Sequence, residues 1–144
     1  MLSPVNFITL TIPAELSNLY ELGEKIRNLV ASVPNLAEPD ITLYNIELAV
    51  QEIAVNIVKH SYAHSGGQIC VSARLGGTPL QITIEIEDTG IPFNPDDIPE
   101  PRLGELQEHG FGLFLVRQLM DRVEYDSSQE RNCWTLVKIL PLIV

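Results

Sequence analysis

The most informative part of the sequence is residues 51–62, QEIAVNIVKHSY, which lie within a longer helical pattern that ends at about Tyr62. On a helical wheel of about 100° per residue, apolar side chains gather on one side, namely Leu43, Ile46, Val50, Ile53, Ala54 and Ile57. Polar side chains gather on the other side, namely Asn45, Glu52, Asn56, Lys59 and His60. The pattern predicts a helix capped at Asp40 or Thr42, with one face in a core and one polar face.

The segments around this helix predict the rest of the fold. Upstream, residues 7–12 alternate like a strand and residues 14–31 have helical spacing. Downstream come a hairpin (68–75 and 80–88), a proline-rich loop (89–104), a helix from 110 to about 121, and two strands within 123–140 joined by a turn at 126–132. This order predicts a single α+β domain over residues 1–144. The predicted architecture is a two-layer sandwich with helices on one face of a mixed, mainly antiparallel sheet.

Composition limits the classes of function. The chain has 144 residues, 45% of them hydrophobic, and a formal charge of −10, which disfavours direct binding to nucleic acid or to anionic membranes. Two cysteines, Cys70 and Cys133, are too few for a disulfide framework and have no metal-ligand spacing. With no predicted membrane-spanning segment, we expect a soluble, cytoplasmic protein.

Glu52 and Asn56 stand four residues apart, so their side chains leave the same face of the helix. A carboxylate beside a carboxamide oxygen offers the hard oxygen ligands that Mg²⁺ prefers. The alternative is an ordinary solvated helix face, since such pairs are common.

Asp88 continues the parity of the apolar row Ile82, Ile84 and Ile86, so its side chain is predicted to point inward. A buried carboxylate needs a hydrogen-bond donor, and the amino group of adenine supplies one, whereas guanine presents a carbonyl at that edge. The alternative is a structural Asp that caps the turn at Thr89 and Gly90.

Three glycines, Gly104, Gly110 and Gly112, lie in the loop and at the start of the following apolar helix. Their backbones can approach a ligand closely, and free N–H groups at a helix start favour phosphate oxygens. The sequence has neither the GxGxxG nor the GxxxxGK[ST] pattern, which argues against Rossmann and P-loop folds.

Taken together, these segments resemble the anti-sigma factor serine kinases of the GHKL ATPase superfamily over nearly the whole chain. QEIAVNIVKHSY is similar to the N box of that family, with Glu52, Asn56, His60 and Tyr62 in register. EDTGIPFNP (87–95) is similar to its first glycine box and HGFGLFL (109–115) to its second.

The resemblance implies a Bergerat-type ATP-binding fold and a role for each matched residue. Glu52 would be the general base, Asn56 the magnesium ligand and Asp88 the acceptor of the adenine amino group, with Gly90 shaping the base pocket. Gly110, Phe111 and Gly112 would form part of the ATP lid and phosphate cradle. The remaining predicted ATP-site residues are Lys59, His60, Phe93, Arg102, Leu113 and Thr135, of which Lys59 or Arg102 would offset charge and Thr135 would support the Asp88 network.

The function implied by the resemblance is an ATP- and Mg²⁺-dependent serine kinase that binds a sigma factor and phosphorylates an antagonist protein in partner switching. Family members commonly act as homodimers. An alternative is a nucleotide-binding module that sequesters a partner without phosphate transfer. The catalytic domain of a sensor histidine kinase is disfavoured, because the chain leaves no room for a dimerisation helix with a phosphoacceptor His. Because acidic residues outnumber Arg102 in the loop after Phe93, nucleotide binding is expected to depend on Mg²⁺.

Overall fold

The centre of the fold is a five-stranded sheet with the strand order β1-β2-β3-β5-β4. The computed structural model describes residues 6–62, 66–93 and 111–143. The strands are β1 (Phe7–Pro13), β2 (Gln68–Gly76), β3 (Gln81–Asp88), β4 (Arg122–Ser128) and β5 (Arg131–Ile139). All four pairs of neighbouring strands are antiparallel, so the sheet is not mixed as the sequence had suggested.

The helices α1 (Leu19–Ala31), α2 (Pro39–Asn56) and α3 (Phe111–Leu119) cover one face of this sheet. On that face the inward rows of the central strands β2, β3 and β5 are largely buried, as in the row Ile82, Ile84 and Ile86 of β3. The residues between them, such as Glu85 and Glu87, are half-buried on the opposite face. The predicted two-layer α+β sandwich is therefore confirmed.

Both long helices begin at different residues from those predicted. Helix α1 begins at Leu19, after a short 3₁₀ turn at Leu16–Asn18, instead of at Ala14. Helix α2 begins at Pro39, and its N-cap is Glu38 in a left-handed conformation (φ 45°) instead of Asp40 or Thr42. Proline suits the first helical position, since its missing N–H would have no partner there.

The second helix forms the middle of the core. Its predicted apolar side is buried, and it continues beyond Asn56 as a π-helical turn, Ile57–Ser61. By length and composition, the segment Pro39–Ser61 is long and apolar enough to cross a membrane. However, 44% of its apolar 18-residue stretch is buried inside the fold. The buried part packs into the same apolar core as α1 and the sheet, which accounts for part of that apolar character.

The hairpin between β4 and β5 is tighter than predicted. Only Gln129 and Glu130 separate the strands, both with positive φ (51° and 64°), whereas the polar composition predicted a turn over residues 126–132. As a consequence Asn132 belongs to β5, where it is paired with Asp88 of β3.

Candidate functional site

Glu52 and Asn56 lie one turn apart near the end of α2, and both side chains are half-buried. The first turn of α3 packs against them. A Cβ atom at Gly112 would lie 2.6 Å from Oε2 of Glu52 and 4.0 Å from Nδ2 of Asn56. The absence of a side chain at Gly112 therefore lets the start of a helix, with its positive dipole end, approach both polar groups.

Asp88 ends β3 with its side chain turned inward, as predicted, and it is only 3% exposed. Its two carboxylate oxygens differ. Oδ1 accepts hydrogen bonds from the Gly90 backbone N–H (2.9 Å) and from Nδ2 of Asn132 (2.8 Å). Oδ2 is buried and has no partner among residues 6–62, 66–93 and 111–143. Thus Oδ1 makes the structural turn contact, while Oδ2 is a buried acceptor that needs a donor.

Asn132 is a site residue that the sequence analysis missed. Its Nδ2 also donates to the Gly90 carbonyl (3.0 Å), and its Oδ1 accepts from the hydroxyl of Ser127 (2.7 Å). The signal that could have found it is parity, because Asn132 shares the inward row of Trp134 and Leu136.

Thr135 lies on the opposite face of β5, where its neighbours across the strands are Glu85 and Glu124. It is therefore not placed to support the Asp88 network. The residue that provides this support is Asn132, three positions earlier on the same strand.

The end of the π-helical turn is joined to the turn after Asp88. The hydroxyl of Tyr62 accepts from the Thr89 N–H (2.8 Å) and donates to the carbonyl of Gln68 (2.9 Å). The Ile91 N–H donates to the carbonyl of Ser61 (2.8 Å), and a Cβ at Gly90 would collide with that same carbonyl. These contacts fix the backbone that carries Asp88.

Phe93 is held by two aromatic residues of the β4–β5 hairpin. Its ring centroid is 5.6 Å from that of Trp134 and 6.2 Å from that of Tyr125, and its N–H donates to the Tyr125 hydroxyl (2.8 Å). Burial raises the pKa of Tyr125, and the negative charge of Asp88 adds to the effect, although the bond from Phe93 opposes it. The phenol therefore stays neutral at physiological pH.

The sequence of the chain also matches a known protein family. The family model described as "Histidine kinase-like ATPase domain" matches residues 12–138, which include Glu52, Asn56, Asp88 and Gly112. The chain belongs to the histidine kinase-like ATPase family. The GHKL resemblance predicted from the three motifs is thereby confirmed.

Its relatives include serine-protein kinases. The histidine kinase-like ATPase domain is 32% identical over 109 residues to "Serine-protein kinase RsbW" of Bacillus thuringiensis (strain Al Hakam), covering 69% of this chain and 66% of that protein. It is 33% identical over 89 residues to the protein of the same name from Bacillus mycoides (strain KBAB4), covering 56% and 54%. The chain thus spans slightly less than two thirds of the length of these curated relatives.

Solved structures share the fold. The RsbU and RsbW domains of Rv1364c from Mycobacterium tuberculosis align with a TM-score of 0.70 at 19% identity, covering 99% of this chain and 36% of that one. The histidine kinase domain of the blue-light activated histidine kinase of Erythrobacter litoralis EL346 aligns with a TM-score of 0.50 at 20% identity, covering 90% and 62%. At these identities the likeness shows the fold alone.

Two sets of predicted site residues in this histidine kinase-like ATPase domain fit the ligands that we expect, ATP and Mg²⁺. Asp88 offers a buried acceptor for an amino group, which no residue in the described part of the chain uses. Oε2 of Glu52 and Nδ2 of Asn56 lie nearest to the start of α3, and the carboxylate and the carboxamide oxygen of this pair are the kind of ligands that Mg²⁺ takes.

The remaining residues that were predicted to bind ATP differ in their exposure and in whether the structure describes them. Lys59 and His60 are exposed on the π-helical turn, and their contact with nucleotide remains a prediction. Leu113 is fully buried in the core, so its side chain is not available to a ligand. Arg102 and Gly110 lie outside the described residues, as does the side chain of Phe111, whose backbone begins α3.

Proposed function

We propose that this chain is an ATP-dependent protein serine kinase that also binds a sigma factor, and that it acts by partner switching with an antagonist protein. The observation that carries the proposal is the buried Oδ2 of Asp88, whose following turn is bonded to Ser61 at the end of the helix that carries Glu52 and Asn56. The relationship to serine-protein kinases RsbW supports the choice of serine as the acceptor. A cytoplasmic location and a homodimer are parts of the same proposal.

In this proposal Asp88 selects the base. Its Oδ2 accepts a hydrogen from the amino group of adenine, while the 6-oxo group of guanine would place an acceptor against an acceptor. Because the site is buried, the unmatched pair could not be relieved by water. The expected preference is therefore ATP over GTP.

Asn56 would hold Mg²⁺ through its side-chain oxygen, and the ion would neutralise the charge of the phosphates. The N-terminal turn of α3 at Gly112 presents backbone N–H groups beside the same side chains, which suits phosphate oxygens. In this proposal Glu52, which lies beside Gly112, takes the proton of an incoming serine hydroxyl.

Exposed apolar side chains support a protein-binding role. Leu16, in the 3₁₀ turn before α1, is 55% exposed, and Tyr20, in the first turn of α1, is 74% exposed. Tyr44 on α2 is also exposed. A second copy of the chain docked on the first helix would cover part of this surface. This is the homodimer contact that we propose.

The variant Glu52→Gln tests the kinase proposal. Removing the general base is expected to slow phosphate transfer to a purified sigma-pathway antagonist by at least about 100-fold. Nucleotide affinity should change little, since the amide keeps the size and polarity of the side chain. Transfer is measured with Mg²⁺ and γ-labelled ATP, and affinity by calorimetry.

Glu47→Gln is the matched control, because Glu47 lies on the same helix but pairs with Arg27 at 3.5 Å, away from Gly112. It should transfer phosphate at the rate of the parent. If Glu52→Gln also keeps the parent rate, Glu52 is not the base. If the parent binds ATP and the antagonist but transfers no phosphate, the chain is instead a nucleotide-binding module that only sequesters its partner.

A further inference from the structure

Asn132 is buried at the point where β5 faces the end of β3. It is 2% exposed and is the register partner of Asp88. Its side chain makes three hydrogen bonds, to Asp88, to the carbonyl of Gly90 and from the hydroxyl of Ser127. These bonds use both donors of the buried amide and one of its two acceptor positions, which indicates a specific polar arrangement instead of a chance contact.

These partners fix which way the amide points. Nδ2 faces two acceptors, Oδ1 of Asp88 (2.8 Å) and the Gly90 carbonyl (3.0 Å), while Oδ1 of Asn132 faces the Ser127 hydroxyl (2.7 Å). If the amide were flipped, its oxygen would lie against both acceptors and two donors would be lost. Asn132 therefore always presents a donor to Asp88.

The same donor determines which oxygen of Asp88 remains free. With the Gly90 N–H also bound to Oδ1, that oxygen accepts two hydrogen bonds, and Oδ2 accepts none within the described part of the chain. The two oxygens of a carboxylate are chemically equivalent, so a half-turn restores the same arrangement, whereas any smaller rotation breaks both bonds. The plane of the Asp88 carboxylate is thus fixed, with one oxygen position left unused by the described residues.

We propose that Asn132 is a positioning residue that sets the base preference of the nucleotide site. By binding Oδ1 of Asp88, it keeps Oδ2 available as the acceptor that distinguishes a 6-amino purine from a 6-oxo purine. Ser127 acts behind it by keeping the amide in the required orientation. This inference rests on the proposed function, in which Asp88 receives the base.

The test compares the affinities for Mg-ATP and Mg-ITP, two nucleotides that differ only at the 6-position of the base and its ring protonation. Asn132→Leu removes the donor at similar size and is expected to lower the ATP/ITP affinity ratio about tenfold, as for loss of one hydrogen bond to a charged group. Asn132→Ser retains a short donor and should keep part of the preference. Ser127→Ala should lower the ratio by only about twofold to threefold.

Cys133→Ser is the matched control, since Cys133 is the next residue of β5 and lies on the opposite face of the sheet. The ATP/ITP affinity ratio of Cys133→Ser should equal that of the parent. If Asn132→Leu does not fold, Asn132→Ser and Ser127→Ala still decide the question through the same ratio.

The outcomes separate the inference from the proposed function. A parent that prefers ATP, with both Asn132 variants binding ATP and ITP more weakly but at the parent ratio, would show that Asn132 has only a structural role. A parent with no preference for ATP would overturn both proposals. A selective fall in the ATP/ITP ratio confirms the positioning role.

Discussion

Asp88→Asn is expected to weaken ATP binding by about 1–3 kcal/mol, which is roughly tenfold to a hundredfold in affinity. ATP affinity is expected to fall because the two carboxylate oxygens of Asp88 have different surroundings. The position of Oδ1 faces two donors, the Gly90 N–H and Nδ2 of Asn132, so the amide oxygen of the new side chain must take it. The amide nitrogen then occupies the position of Oδ2, and a donor replaces the acceptor that would meet the adenine amino group.

The same geometry predicts a change of selectivity. A donor at the Oδ2 position matches the 6-oxo group of GTP or ITP, so Asp88→Asn should bind these nucleotides more tightly relative to ATP than the parent does. Calorimetric titrations with the three Mg-nucleotides measure this. Asp126→Asn, an identical change at an exposed position of β4, is the control. An unaltered ATP affinity in Asp88→Asn would show that Asp88 does not contact the base.

Gly90→Ala is expected to destabilise the fold by about 3 kcal/mol, near the upper end of the cost of overpacking. Its Cβ would collide with the carbonyl group of Ser61, which already accepts the Ile91 N–H. Backbone cannot move aside as a flexible side chain can. Moreover, the displaced turn carries both bonds that connect Gly90 to the Asp88 and Asn132 pair.

Urea unfolding measures this loss of stability. Gly76→Ala is the matched control, because a Cβ at Gly76 meets nothing within 4 Å and should change the free energy of unfolding by less than about 0.5 kcal/mol. Equal unfolding midpoints for Gly90→Ala and the parent would mean that the turn does not lie against Ser61.

Local periodicity was enough to predict the parts of the site that depend on a single element. Helical spacing placed Glu52 and Asn56 on one face of α2, and strand parity placed Asp88 on the inward row of β3. Gly112 could be matched to a phosphate-binding motif. Its contact with Glu52, however, joins two helices that are distant in the sequence, so only tertiary packing reveals it.

The errors arose where strand pairing decides the structure. Polar residues around Asn132 resemble a turn, yet pairing with β3 extends β5 through Asn132 and brings it opposite Asp88. Thr135 was assigned by motif resemblance, but the alternation of a strand puts it on the other face from Asn132. Strand parity was the available signal, because Thr135 is adjacent to Leu136, an apolar residue of the inward row.

The measurement that tests the account most directly is a calorimetric titration of the parent protein with Mg-ATP and with Mg-GTP. If Oδ2 of Asp88 is the acceptor for the base, ATP binds to one site per chain and GTP binds at least about tenfold more weakly. Equal affinity for the two nucleotides, or binding of neither, would contradict the account.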